Sequence, residues 1–160
     1  MAWTDSRVFR SFVTDQFAGT AVFDLDAPSD TYKMSAWNNT VVPDKDATSA
    51  NSKYNGGTWL VANEVIDTLN TNWIAHGRTI AGLTVTNPST GVIMVDCNDV
   101  TGAGNVTMTG FYGTLTDDDT KTTPVADQAV CFNYLGGTQT ITNGPITIVI
   151  DVAGLFAGSV

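Results

Sequence analysis

Short apolar segments alternate with turn residues along most of the chain, and this pattern constrains the fold more than any other feature of the sequence. Between the turns lie segments rich in Thr and Val, two residues that favour strands. Turns spaced about every 8–15 residues are typical of a β-sandwich or barrel and not of alternating βαβ units. The predicted turns are Asn87-Pro88, Gly102-Ala103-Gly104, Asp117-Asp118-Asp119, Gly136-Gly137 and Asn143-Gly144-Pro145.

We therefore expect an all-β fold: a sandwich or barrel, jelly-roll or immunoglobulin-like, of about eight strands in a single domain over residues 1–160. Residues 38–61 are rich in Asn, Asp, Ser and Gly and are predicted to form a long irregular loop region. The segment 146–150 is the most apolar and is expected to lie centrally. The predicted strands span residues 20–23, 31–37, 62–66, 78–85, 91–96, 106–117, 127–135 and 145–152.

One segment, residues 5–18, has the periodicity of an amphipathic α-helix. Thr4 or Asp5 can cap its beginning, and Gly19 can end it in the left-handed conformation. The apolar stripe either covers the sheet of the same chain or docks on a neighbouring subunit. Its members are Val8, Phe9, Phe12, Val13 and Phe17.

The charges are few and mostly negative. The net charge is −9, with 15 Asp, a single Glu at position 64 and seven Lys and Arg together. No basic patch that could track phosphates can be assembled from so few cations, so we expect no nucleic-acid partner. No apolar run is long enough to span a membrane, and the N-terminus lacks a secretory pattern. Cys97 and Cys131 are expected to be reduced, with Cys131 buried in a strand.

Residues for catalysis or metal binding are scarce, and we expect no enzyme and no cofactor. His76 is the only histidine, no Gly-x-Ser-x-Gly elbow is present, and one His with two distant Cys falls short of a zinc set. The short Asp clusters fit turns, although Ca²⁺ binding by one of them and hydrolysis of a carbohydrate by an Asp pair stay open. These clusters are Asp24/Asp26/Asp30, Asp44/Asp46, Asp96/Asp99 and Asp117–Asp119.

Large aromatic residues are the best candidates for contacts with a partner, because exposed aromatic side chains often anchor interfaces. Trp3 precedes the predicted helix, Trp59 and Trp73 flank the irregular region, and the helix carries two further candidates. The predicted partner-facing residues are Trp3, Phe9, Phe12, Trp59 and Trp73.

Several segments together form a pattern of structural motifs. They are Asp30-Thr31-Tyr32-Lys33-Met34, Pro43-Asp44-Lys45-Asp46, Asn63-Glu64-Val65, Trp73-Ile74-Ala75-His76-Gly77 and Cys131-Phe132-Asn133-Tyr134-Leu135-Gly136-Gly137. This pattern resembles that of a group of head structural proteins of tailed bacteriophages, the capsid decoration or cement proteins. His76 stands where that group has a Gly, and Glu64 falls within the Asn-Glu-Val motif, where Arg78 is its expected partner.

The resemblance implies a virion structural protein without catalytic activity. It would bind the outer surface of the capsid after assembly in the host cytoplasm and stabilise the lattice. The expected partners are the major capsid protein and further copies of this chain, as a trimer or else a dimer. A tail-tip or receptor-binding module of the virion is the alternative.

Overall fold

Ten strands and one α-helix are present in the residues that the computed structural model describes, 3–26 and 29–159. All strand pairs are antiparallel, in sheets of five, three and two strands. The predicted all-β sandwich with one helix near the N-terminus is therefore confirmed. The elements are β1 (Arg7–Val8), α1 (Arg10–Ala18), β2 (Tyr32–Asn38), β3 (Arg78–Thr79), β4 (Thr84–Ser89), β5 (Val92–Asp96), β6 (Val100–Thr101), β7 (Val106–Asp118), β8 (Gln128–Gly144), β9 (Thr147–Ile148) and β10 (Phe156–Ser159), with a short 3-10 helix at Val61–Asn63.

The five-stranded sheet, in the order β1-β8-β7-β2-β3, organises the molecule. Its central strand β7 has 13 residues and pairs with the 17-residue β8 through a long hairpin. Met108, Phe111 and Leu115 of β7 are buried. β7 is paired along both edges, with β2 on one and β8 on the other. Its last residues, Asp117 and Asp118, are therefore held in place even though they are polar.

An irregular region follows β2 and packs on this sheet through Trp59. Residues 39–60 contain turns and isolated bridges but no helix or strand. Trp59 anchors the region, with its ring centroid 5.4 Å from that of Trp37 on β2 and 6.1 Å from that of Phe132 on β8. The loop thus contributes to the core instead of lying loosely over it.

The helix begins later than the periodicity predicts. Residues 7 and 8 pair with Phe132 and Cys131 of β8, and Phe9 is extended, with φ −72° and ψ 132°. Sheet pairing thus replaces the first helical turns. Gly19 ends α1 in the left-handed conformation, with φ 68°, as predicted.

Two predicted strands, 20–23 and 62–66, are wrong. In the first, the backbone N–H of Phe23 donates to the side chain of Gln16, so the segment folds back on α1. In the second, the 3-10 helix is followed by a single bridge between Glu64 and Trp37. Both segments are apolar enough for a strand, but neither forms a continuous set of strand hydrogen bonds: the first bonds to a side chain of α1 and the second makes one bridge.

The predicted strand 145–152 is also wrong in length and position. Only Thr147–Ile148 is a strand, and it pairs with Val100–Thr101 in the two-stranded sheet. Val149 is 72% exposed, so this apolar segment is not the centre of the fold. The centre is occupied by β7 and β8, because their Thr-rich strands are longer and have a neighbour on each side. Cys97 and Cys131 are free thiols, and Cys131 is buried in a strand, as expected; Cys97 is buried as well.

Candidate functional site

A polar cluster lies where the turn before β3 meets the end of β7 and the beginning of β8. β3 pairs with β2 and β2 pairs with β7, so the turn at His76 is brought beside Asp117. Asp119 follows the end of β7, and Asp127 immediately precedes β8. Each side chain therefore comes from a chain segment whose position is fixed by the five-stranded sheet.

The imidazole of His76 contacts a carboxylate at each ring nitrogen. Nε2 lies 2.7 Å from Oδ2 of Asp117, which is fully buried, and Nδ1 lies 3.3 Å from Oδ1 of Asp119. The other oxygen of Asp119 is 3.1 Å from Nζ of Lys33. The ring is thus held between two acids, one inside the protein and one at its edge.

Tyr54 and Glu64 hold the other side of the imidazole. The rings of Tyr54 and His76 are stacked, with centroids 3.8 Å apart and planes at 18°. The Tyr54 hydroxyl donates a hydrogen bond of 2.7 Å to Oε2 of Glu64. The expected partner of Glu64, Arg78, forms no ion pair with it among the described residues, so this expectation is corrected: the partner is Tyr54.

The environment shifts the pKa values of several side chains in the cluster. Burial raises the pKa of Asp117 to about 7, against the opposing effect of His76. Burial lowers the pKa of His76, but the hydrogen bond and negative charge of Asp117 outweigh burial and leave the pKa of His76 above its usual value. Burial also raises the pKa of Glu64. Such shifts are concentrated at functional sites, although structural ion pairs produce them too.

Chemically, the cluster offers an oriented imidazole, a buried proton acceptor and two partly exposed carboxylates. One atom from each of His76, Asp119 and Asp127 lies within 4.8 Å of the others, close enough for all three to reach one metal ion. The cluster can therefore bind a cation or hold a proton between His76 and Asp117.

The five predicted partner-facing residues lie elsewhere, and all five are buried in the chain's own core. This corrects the expectation that they face a partner. The physical reason is that their rings find partners within the chain: the centroids of Trp3 and Trp59 are 5.6 Å apart, and those of Phe9 and Phe132 are 5.3 Å apart, both pairs edge-to-face. The buried residues are Trp3, Phe9, Phe12, Trp59 and Trp73.

Members of the other acidic clusters either accept local hydrogen bonds in turns or bind distant segments, as Asp99 does with the N–H of Ile150 and Asp30 with Lys121. The backbone N–H of Ser29 donates to Oδ2 of Asp24, and the backbone N–H of Asp46 donates to Oδ1 of Asp44. These are the local hydrogen bonds for which Asp is favoured in turns. The Asp117–Asp119 cluster differs, because its first and last members turn toward His76.

Sequence reasoning identified His76 and the Asp117–Asp119 run separately but did not bring them together. Their separation along the chain, about 40 residues, hides the contact, and Asp127 and Tyr54 carry no local motif. One local signal did exist. His76 occupies a Gly position in the expected turn, and its φ is indeed positive, at 65°.

No protein-family model, no curated protein and no solved structure matches the chain. Among the described residues, no helix has both the length and the apolar character needed to cross a membrane. The fold and site define an antiparallel β-sandwich with a polar cluster around one histidine.

Proposed function

We propose that this chain is a virion structural protein that binds the outside of a tailed-phage capsid and stabilises its lattice. The resemblance of its motifs to those of decoration proteins supports this proposal, and the β-sandwich fold is compatible with it. The net charge of −9 suits an outer layer, because an interior packed with DNA would repel it.

The observation that carries the proposal is a set of large apolar side chains left in solvent on irregular or terminal segments. Phe17, at the end of α1, is 87% exposed, and Val152 is 91% exposed. Removing such side chains from water on a partner contributes about 25 cal/mol per Å² of apolar surface. Further exposed members of the set are Val22, Val42, Leu60, Val61, Leu69 and Val149.

Binding of this kind is associative. Each copy buries a modest apolar area against the major capsid protein and against neighbouring copies, and avidity over the lattice strengthens the total. A cyclic trimer at the three-fold positions of the lattice is the proposed arrangement, with a dimer as the second choice. No cofactor, nucleic acid or membrane takes part.

Copy number in purified particles tests the proposal. A lattice-wide layer predicts on the order of hundreds of copies per particle, measured from band intensity against the major capsid protein. Heating should release this band before the shell opens, and particles stripped of it should then lose their DNA at a lower temperature. A handful of copies, or stripped particles with normal thermal stability that fail to adsorb to cells, would instead identify the tail-tip or receptor-binding alternative.

Rebinding to stripped particles tests which side chains make the contact. Phe17→Ser, Leu69→Ser and Val152→Ser each remove an exposed apolar group, while Thr14→Ser and Thr68→Ser are matched changes at exposed neighbours. At least one apolar variant should rebind more weakly, with its melting temperature unchanged and the Thr controls unaffected. If all three bind like the wild type, the exposed apolar set is not the contact surface.

A further inference from the structure

We propose that His76, Asp119 and Asp127 form a binding site for one divalent transition-metal ion, with Zn²⁺ as the best fit. One imidazole nitrogen and two carboxylate oxygens are ligands that Zn²⁺ accepts. The three residues come from two connections that the sheet brings together: the turn before β3 and the segment between β7 and β8. The site is independent of the proposed capsid function.

The distances fit a metal ion between the ligands. Nδ1 of His76 and Oδ1 of Asp119 are 3.3 Å apart. Two ligand atoms, each about 2.1 Å from a tetrahedral Zn²⁺, lie about 3.4 Å from each other. The third ligand, Asp127, has a carboxylate oxygen within 4.8 Å of both and is partly exposed.

A second observation comes from Asp117. This carboxylate is fully buried, its Oδ2 is 2.7 Å from Nε2 of His76, and its Oδ1 has no hydrogen-bond partner among the described residues. A carboxylate that accepts the proton of one imidazole nitrogen leaves the other nitrogen free to bind a metal, which is the usual support of a metal-bound histidine. With Nε2–H donating to Asp117, the lone pair of His76 Nδ1 points to the edge of the protein.

The balance of charge favours a cation at the same place. Three acids, Asp117, Asp119 and Asp127, surround the imidazole, and Lys33 is the cation paired with Asp119. Lys33 occupies Oδ2 of Asp119 and leaves Oδ1 facing His76. When a metal ion binds Nδ1, any proton on that nitrogen passes to solvent and the ion replaces it as the partner of Asp119.

The ligand chemistry selects among metals. Ca²⁺ takes six to eight oxygen ligands, and Mg²⁺ likewise prefers oxygen, whereas imidazole favours Zn²⁺ and its transition-metal neighbours. Because the three ligands are partly exposed, water can complete the coordination. The bound ion would join the β7–β8 connection to the turn at His76 and so add a link to the ion pairs that already hold this connection, those of Asp119 with Lys33 and of Lys121 with Asp30.

The experiment is a calorimetric titration of the whole chain with ZnCl2 after treatment with EDTA and dialysis. We expect one Zn²⁺ per chain, a higher melting temperature with Zn²⁺, and an X-ray absorption spectrum with one imidazole and otherwise oxygen neighbours. Asp127→Asn and His76→Asn should each weaken binding more than about tenfold. Asn suits both positions, because both have positive φ and Asn tolerates that conformation.

The control is Asp46→Asn, which removes the same charge from another acidic turn and should bind Zn²⁺ like the wild type. Asp117→Asn tests the support of His76 and should weaken binding by about 10–100-fold. The proposal is overturned if ZnCl2 gives no saturable binding, if Asp127→Asn binds as tightly as the wild type, or if Asp46→Asn loses as much affinity. Ca²⁺ binding that survives His76→Asn while Zn²⁺ does not bind would also overturn it.

Discussion

His76 reaches its carboxylate partners because two consecutive residues adopt the left-handed conformation. His76 has φ 65° and Gly77 has φ 71°, and the N–H of Gly77 donates to the carbonyl of Ile74. A positive φ is strained for most residues but is free for Gly. A Cβ on Gly77 would also collide with the carbonyl oxygen of Met34 on β2. The turn that places His76 beside Asp117 therefore requires Gly at position 77.

At the scale of this residue, Gly77→Ala should be strongly destabilising. The added methyl group meets a strand backbone that cannot move without breaking the β2 pairings, and φ becomes unfavourable, so we expect a loss of about 3 kcal/mol or more in the free energy of unfolding. Urea denaturation measures it. Gly158→Ala, at an exposed site with open space around it, is the control and should change stability by less than about 1 kcal/mol. Equal stability of the two variants would contradict the role of the turn.

At the scale of elements, α1 is amphipathic over a narrower stripe than its sequence indicates. Of the five residues in the predicted stripe, Phe9 and Phe12 are buried, whereas Phe17 is exposed to solvent. Phe12 packs edge-to-face on Phe23, with centroids 4.8 Å apart, and on Phe156 of β10. The helix thus packs on the chain's own core through Phe12 and leaves the ring of Phe17, in its last turn, in solvent.

Truncation of Phe12 and of Phe17 should have different effects on stability, because only the first ring is buried. Phe12→Ala removes a buried ring from three contacting segments and should cost about 3–5 kcal/mol of stability. Phe17→Ala should change stability by less than about 0.5 kcal/mol, since its ring is already in water. Thermal and urea unfolding, followed by circular dichroism, provide the comparison. A large loss in Phe17→Ala would mean that the free surface of α1 is covered in solution.

The elements that sequence predicts well are those in which periodicity and pairing agree. The alternation around Tyr32–Trp37 and the run ending at Asp117 became β2 and β7, because each has a neighbour on both sides. The prediction of a central strand at residues 146–150 was wrong, because apolar character does not specify which strand a segment will pair with. The contact between His76 and Asp119 was not predicted for a related reason. The order of strands in the sheet brings the two residues together, and local sequence spacing does not encode that order.

At the scale of the whole molecule, the many carboxylates make stability depend on pH. Asp67 is buried in the irregular segment that leads to β3, and it accepts hydrogen bonds from the N–H of Thr107 on β7 and from the hydroxyl of Thr71. The N–H of Thr107 in particular holds the pKa of Asp67 below its usual 3.8. The folded state therefore binds fewer protons here than the unfolded chain, and ionised Asp67 stabilises the fold.

Acid should remove this contribution. It is fully present above the pKa of the unfolded chain, about 3.9, and is lost as the pH falls through the lower pKa of the folded state. Asp67→Asn cannot titrate, so its melting temperature should fall less steeply than that of the wild type between pH 5 and pH 2 (about the range over which such a carboxylate titrates). Asp151→Asn, at an exposed position near the C-terminus, controls for the change in net charge. Parallel curves for Asp67→Asn and the wild type would show that Asp67 does not contribute.

The edge strand β1 also has a consequence for how the chain folds. Arg7 pairs with Phe132, and the hydroxyl of Ser6 accepts a hydrogen bond from the N–H of Tyr134, 128 residues away. During synthesis this edge of the sheet cannot form until residue 132 has left the ribosome, so Trp3 and Phe9 lack their contacts with Phe132 until late in translation. Sheets closed by such distant contacts fold in about milliseconds to seconds, well behind helical proteins of equal stability. Newly made chains therefore pass through an interval in which Trp3 and Phe9 are not yet fully buried and can contact other chains.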